Sequence, residues 1–233
     1  MLIPWMRGIA AAAPSQCEVC RAWPAQALCG NCLARFALPR SRCRRCALPV
    51  PEGVAECGRC LREPPALDAC LAAVDYGYPW STLVGRYKFQ GEPGWAATLA
   101  TLMRQVPGAQ AELARARWVL PMPLSRQRLA GRGFNQALEL AQRLAPGRTD
   151  AGLLLRLRDT PAQASLDRSA RLANMRHAFA VEPARTKEVQ GADVLLVDDV
   201  MTSGASLFTL ASVVRAAGAA RVAALVLART PEN

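Results

Sequence analysis

The stretch from Val194 to Ser206, VLLVDDVMTSGAS, decides how the rest of the chain is read. Its apolar opening, Val194 to Val197, has the character of a strand buried on both faces, as in parallel sheets. Two carboxylates, Asp198 and Asp199, stand at the carboxyl end of that strand. The small residues Thr202, Ser203, Gly204, Ala205 and Ser206 then lead into an apolar run that reads as a helix over 205–216. Such a turn exposes backbone N–H groups at a helix N-terminus, where partial positive charge and free donors suit a phosphate dianion. Glycine at 204 lets the backbone approach the ligand closely. The aspartates would repel a phosphate, so their expected partners are neutral hydroxyls and a metal. A ribose 5-phosphate meets both demands. The patterns GxxxxGK[ST] and GxGxxG are absent, which excludes a Walker loop and a dinucleotide fingerprint.

Outward from this stretch the pattern alternates. Apolar strands are expected at 71–76, 118–121, 153–157, 194–197 and 222–227, and helices at 80–90, 95–104, 136–144, 169–177 and 205–216. This order implies an α/β domain with a parallel sheet covered on both faces, whose ligands collect outside the carboxyl ends of the strands. Residues 61–69, LREPPALDA, read as a linker stiffened by Pro64 and Pro65. Trp80, Tyr87, Phe89, Trp95 and Trp118 are spaced for core packing, although Lys88 beside Phe89 leaves base stacking open.

The 233 residues carry 29 basic and 18 acidic side chains, a formal +11, and the only lysines are Lys88 and Lys187. The excess is central, with +6 on residues 126–176. Arginine forks suit phosphate oxygens, so this excess points to a phosphorylated ligand or nucleic acid; a solvated face is the alternative. In PMPLSRQRLAGRGFNQA (121–137), Asn135 is expected to cap a helix, and Ser125, Arg126, Arg128 and Arg132 to reach the edge of the sheet. A second arginine-bearing segment, 155–179, holds Arg156, Arg158, Arg168, Arg171 and Arg176 and reads as a hood that closes over the site and excludes water. Arg168, Arg171 and Arg176 could equally form a cationic surface for nucleic acid. Arg132 and Arg158 are the candidates, beside the aspartates, for offsetting charge on a departing diphosphate. His177, the only histidine, is expected to be structural. No apolar run approaches the ~20 residues of a membrane-spanning helix. The opening MLIPWMRGIAAAAP suits a signal peptide poorly and reads as a docking segment, so cytoplasmic residence is expected.

Eight of the nine cysteines form CxxC pairs: Cys17 and Cys20, Cys29 and Cys32, Cys43 and Cys46, Cys57 and Cys60. Each pair can place two sulfurs on one side of a tight turn, and two such knuckles supply the four thiolates of a structural Zn²⁺ site. Two zinc sites follow, replacing a core that this segment lacks the large apolar residues to build. Disulfides are disfavoured in a reducing compartment, and a redox motif needs one pair only. Sequential pairing (17, 20, 29, 32 and 43, 46, 57, 60) is preferred to crossed pairing, though spacing alone does not settle it. Cys70 stands apart and reads as a buried core thiol.

VLLVDDVMTSGAS resembles the PRPP-binding signature of type I phosphoribosyltransferases over all 13 positions. The resemblance implies that Asp198 and Asp199 hold the ribose hydroxyls, that Thr202 to Ser206 hold the 5-phosphate, and that Mg²⁺ accompanies the pyrophosphate. Together with YKFQGE (87–92), PMPLSRQRLAGRGFNQA, RDTPAQASLDRSARLANMRHAF (158–179) and the four CxxC pairs, it resembles the ComF family over nearly the whole chain. That likeness implies a parallel-sheet phosphoribosyltransferase fold over 66–233 behind a small double zinc ribbon over 1–65. It also implies PRPP or another ribose 5-phosphate as ligand, and a role with the DNA-uptake machinery in importing single-stranded DNA during natural transformation. A non-catalytic adaptor that binds single-stranded nucleic acid and keeps the PRPP site for regulation is the second reading. No residue pattern identifies an acceptor for ribosyl transfer.

Overall fold

A computed structural model describes residues 15–157 and 178–231. The opening segment, the helix expected at 169–177, and Arg158, Arg168, Arg171, Arg176 and His177 lie outside the described residues. Contacts divide the chain into two compact units, Met1–Leu38 and Pro39–Asn233. The first carries helix α1 (Gly30–Phe36) and the first two CxxC pairs. The second runs α2 (Gly58–Arg62), β1 (Ala69–Asp75), α3 (Trp80–Phe89), α4 (Trp95–Arg104), α5 (Ala109–Arg115), β2 (Trp118–Pro121), α6 (Arg126–Arg132), α7 (Gln136–Leu144), β3 (Leu154–Arg156), β4 (Phe179–Val181), β5 (Asp193–Met201), α8 (Ala205–Ala216) and β6 (Arg221–Arg229). The units meet between residues 38 and 39, so the second pair of knuckles belongs with the α/β unit, whereas the boundary after residue 65 groups all eight cysteines by their spacing.

Four strands form one parallel sheet in the order β1-β6-β5-β2. The apolar runs account for its interior. Every residue of β6 from Val222 to Arg229 is buried, as are Val194 to Val197 of β5, because helices and loops cover both faces. The edge strand β1 alternates instead, with Cys70, Ala72 and Val74 inward. In register, Asp75 pairs with Arg229, Arg229 with Met201, and Val197 with Pro121, so all four strands end at one sheet edge. Beneath that edge Leu120, Leu196, Val226, Leu207 and Leu210 share one apolar core. Each fully buried aliphatic side chain of this kind contributes about 1.5–3 kcal/mol.

Several expectations need correction. The strand expected at 153–157 shortens to β3 and pairs antiparallel with β4, outside the main sheet; Arg156, opposite Phe179, gives it one polar position that a doubly covered strand would not hold. Strand β5 continues past Val197 to Met201, so both aspartates lie within the strand, with Asp198 opposite Val226. The stretch 61–69 is no free linker. Leu67 is buried, and the Asp68 carboxylate pairs with Arg215 and accepts from the Val222 N–H at 2.8 Å. Phe89, expected in the core, is 71% exposed. Trp80, Tyr87 and Trp95 are buried as expected, and Trp118 is half-buried.

Candidate functional site

The turn after β5 has one backbone solution. Gly204 caps α8 with φ at +81°, and a Cβ there would lie 2.5 Å from Met201 Cε and 2.7 Å from Phe208 Cζ. Only glycine tolerates both the left-handed conformation and the close approach. Thr202 and Ser203 face solvent, and Ser203 Oγ accepts from the Ala205 N–H at 3.3 Å in the first turn of the helix.

The carboxylates before the turn are not equivalent. Asp199 is 6% exposed and pairs with Lys88, Nζ to Oδ1 at 2.9 Å. Asp199 Oδ1 also accepts from the Val200 N–H at 2.6 Å, while Asp198 Oδ1 accepts from the Asp199 N–H at 2.8 Å. Burial, and then repulsion from Asp199, pushes Asp198 up to about 7, with Lys88 opposing the rise. Lys88 reaches this point because its neighbour Tyr87 anchors α3: the fully buried ring donates its hydroxyl to the Gln136 carbonyl at 2.8 Å. Lys88 was not among the site residues read from the sequence. Its signal was compositional, since a chain that meets nearly all its need for positive charge with arginine keeps only two lysines. A single compact ammonium fits a narrow carboxylate partner better than a planar fork.

Both aspartates and the turn from Thr202 to Ser206 line one cleft of about 200 Å³. Its walls also carry four cations: Lys88, Arg128, Arg132 and Arg156. Arg128 and Arg132 come from α6, a helix that is not among those expected from the sequence. It forms because Ser125 caps it, Oγ accepting from the Arg128 N–H at 3.3 Å, and Gly133 ends it at φ +78°. Ser125 is therefore buried in a capping role and Arg126 is exposed, and neither is among the residues that line the cleft. Arg132 donates to Gln136 Oε1 at 2.9 Å, and its guanidinium lies 5.1 Å from the centre of the exposed Phe89 ring. Asn135 caps α7 as expected, accepting from Ala137 and Leu138, and its Nδ2 donates to the Met122 carbonyl at 3.1 Å, tying helix to sheet edge. Arg156 lies over the Phe179 ring at 5.2 Å.

The cysteines gather as Cys17, Cys20, Cys29, Cys32 and as Cys43, Cys46, Cys57, Cys60, with the four sulfurs of each group within 4.8 Å of one another. Measured edges are 3.8 Å (Cys17 to Cys32), 3.6 Å (Cys20 to Cys29) and 3.6 Å (Cys46 to Cys57). A disulfide requires about 2.05 Å, whereas a tetrahedron of sulfurs at about 2.3 Å from a central ion has edges of about 3.8 Å. Both groups thus have the dimensions of a tetrathiolate zinc site, in the sequential grouping. Burial, and then the neighbouring thiols, pushes Cys32 up to about 12, a cost that a central dication removes. Cys70 is a buried core thiol; burial first, then the nearby tetrad, raises it to about 12.

A family model described as the phosphoribosyl transferase domain matches residues 129–233. The DNA utilization protein YhgH of Salmonella typhi is 34% identical over 230 residues, covering 93% of this chain and 98% of its own. Competence protein F of Haemophilus influenzae is 31% identical over 193 residues, covering 80% and 84%. Among solved structures, the allosteric regulatory enzyme of purine biosynthesis overlays 61% of this chain and 29% of its own, with 18% identity and a TM-score of 0.40. The parallel sheet, the glycine turn at the end of β5 and the near full-length likeness to these relatives agree, and the chain belongs to the ComF family.

Proposed function

We propose that the cleft at the end of β5 binds PRPP, or another ribose 5-phosphate, and that the protein serves the import or use of single-stranded DNA as a phosphoribosyltransferase-type member of its family. The observation that carries this reading is the Gly204 turn at the N-terminus of α8, which lines one cleft together with the two carboxylates that precede it. Thr202 to Ser206 receive the 5-phosphate, and Asp198 and Asp199 accept from the ribose hydroxyls. Lys88, Arg128, Arg132 and Arg156 offset the charge of the diphosphate. Mg²⁺ accompanying the ligand would be held near Asp198 and Asp199 and would supply positive charge to offset the diphosphate. Arg158, expected from the sequence to share this role, lies outside the described residues. The two cysteine groups hold Zn²⁺ as structural ions, and the names of the relatives support partners in DNA uptake. Among the described residues no helix is long and apolar enough to cross a membrane; the cytoplasm is the proposed site of action because two sets of reduced thiols suit a reducing compartment. Thermal unfolding with PRPP and Mg²⁺ tests the site: at 100 times the dissociation constant the ligand adds about 2.7 kcal/mol. No shift, or an equal shift in Asp199→Asn, overturns it.

One observation favours a second role. Helix α6 buries none of its residues yet presents Arg126 and Arg128 to solvent. Such a face suits the backbone of single-stranded nucleic acid; Arg168, Arg171 and Arg176, expected from the sequence to take part, lie outside the described residues. Affinity should fall with salt at a log–log slope of about −0.7 per phosphate contacted, and Arg126→Ala with Arg128→Ala should flatten that slope. An unchanged slope removes α6 from the interface.

A further inference from the structure

Arg229, the last residue of β6, has no exposed surface although it ends at the same sheet edge as the cleft. Its hydrogen bonds go to backbone carbonyls from two parts of the α/β unit. Nε donates to the Cys46 carbonyl at 2.9 Å, and Nη1 donates to the carbonyls of Met201 at 3.2 Å, of Thr202, and of Thr230 at 2.5 Å. Cys46 belongs to the second cysteine group. Met201 ends β5 and Thr202 begins the phosphate turn. One guanidinium therefore spans the metal knuckle and the base of the turn.

A second path of contacts runs beside it. The Cys70 N–H donates to the Arg44 carbonyl, between Cys43 and Cys46, at 2.7 Å, and Cys70 Sγ lies 3.8 Å from Met201 Sδ. Met201 Cε fills the space that the missing Cβ of Gly204 leaves open. The knuckle, Cys70, Met201 and Gly204 thus form one unbroken chain of contacts. Electrostatics gives Arg229 a reason to stay. A buried cation is costly unless compensated, and four thiolates around Zn²⁺ carry a formal −2 close to the carbonyl that Arg229 holds. A residue needed only to fill volume would be apolar, since well-packed apolar replacements of buried ions are often neutral or stabilising.

We propose that Arg229 is a positioning residue that sets the phosphate turn from the second cysteine group, so that metal in that group conditions the order of residues 201–206 and the affinity of the cleft. The affinity arm rests on the reading of the cleft as a PRPP site; the order arm does not.

The test uses the full zinc-loaded chain, with Arg229→Met and Arg229→Lys. Amide hydrogen exchange is followed at 201–206 and, as an internal control, at 194–197, and PRPP·Mg²⁺ affinity is measured by calorimetry. Arg229→Met should speed exchange at 201–206 about tenfold with 194–197 unchanged, and weaken PRPP about tenfold, an ordinary size for coupling between sites. Arg229→Lys, which keeps the charge but reaches fewer carbonyls, should recover part of both. Folded Arg229→Met with wild-type exchange and wild-type affinity overturns the proposal and leaves the PRPP reading intact. If the wild type binds no PRPP while exchange at 201–206 still responds to Arg229, the ligand reading fails and the coupling stands. Should Arg229→Met not fold, stepwise chelation of the wild type decides: exchange at 201–206 rising ahead of 194–197 as the second zinc leaves supports the proposal, and exchange at 201–206 that is independent of zinc content or rises only together with 194–197 overturns it.

Discussion

Asp198 is held near neutrality by its surroundings. Burial, and then the charge of Asp199, raise its pKa to about 7, against the partial relief given by Lys88. An unfolded carboxyl titrates near about 3.9. Between these values the folded chain keeps a proton that the unfolded chain has lost, so this group's contribution to stability falls as pH rises through the window and levels off above 7. Asp68, Asp150 and Glu188 act the other way, since arginine and backbone partners lower them against the pull of burial. The Asp198 effect is therefore read as a difference. Asp198→Asn should exceed wild type in urea unfolding by more at pH 8 than at pH 5; an equal difference at both would show that Asp198 ionises freely. A ribose hydroxyl donates best to the ionised carboxylate, so PRPP binding near pH 7 should release a proton, detectable by calorimetry in buffers of different ionisation enthalpy. Gly204→Ala is the second test at this scale. A positive φ and contacts of 2.5 and 2.7 Å force Met201 and Phe208 to shift, so a loss of about 1–3 kcal/mol in denaturant stability is expected, together with loss of PRPP binding.

The two helices after β2 respond differently to loss of their caps. Helix α7 packs on β5 and α4, and Asn135 both caps it and holds Met122. Asn135→Ala should cost about 1 kcal/mol of global stability. Helix α6 buries nothing, so Ser125→Ala should fray it and weaken the Arg128 and Arg132 wall while global stability stays within about 0.5 kcal/mol. Urea unfolding combined with PRPP titration separates the two outcomes. The same contrast explains what was legible beforehand. The strand Val194–Val197, the helix after it and the capped α7 announce themselves by apolar runs, periodicity and a cap residue. RQRLAGR has no apolar face, and a helix without a buried stripe leaves no periodic trace. β3 and β4 are three residues each, too short for alternation to register. Ser125 reads equally well as a phosphate ligand or a cap until the Arg128 N–H is placed beside it. The two aspartates were legible as a pair, but their inequality depends on Lys88, which arrives from a helix more than 100 residues away in the chain.

At the scale of the molecule, the two cysteine groups are alike in spacing and unlike in consequence. The first lies in the Met1–Leu38 unit, and domains below about 40 residues rarely hold together without metals or disulfides. The second belongs to the main core. Cys43, Cys46 and Cys60 are buried in one cluster with Leu48, Leu67, Cys70, Leu120 and Val226, and Arg42 and Arg40 tie the same knuckle to Asp75 at the end of β1. Metal loss from the first group should therefore unfold only its own unit, whereas loss from the second should remove part of the foundation of the sheet. The order of loss follows from exposure. In the first group Cys20 is exposed and Cys29 half-buried, while in the second only Cys57 is even partly accessible. During stepwise chelation, alkylation followed by mass spectrometry should label Cys20 and Cys29 first, with the melting temperature of the α/β unit unchanged. Labelling of Cys43, Cys46 and Cys60 should come later and coincide with a fall in the melting temperature of the α/β unit. Simultaneous labelling of both groups, or loss of the second zinc at constant melting temperature, would mean that the second knuckle is an attachment to the sheet and not a member of its core.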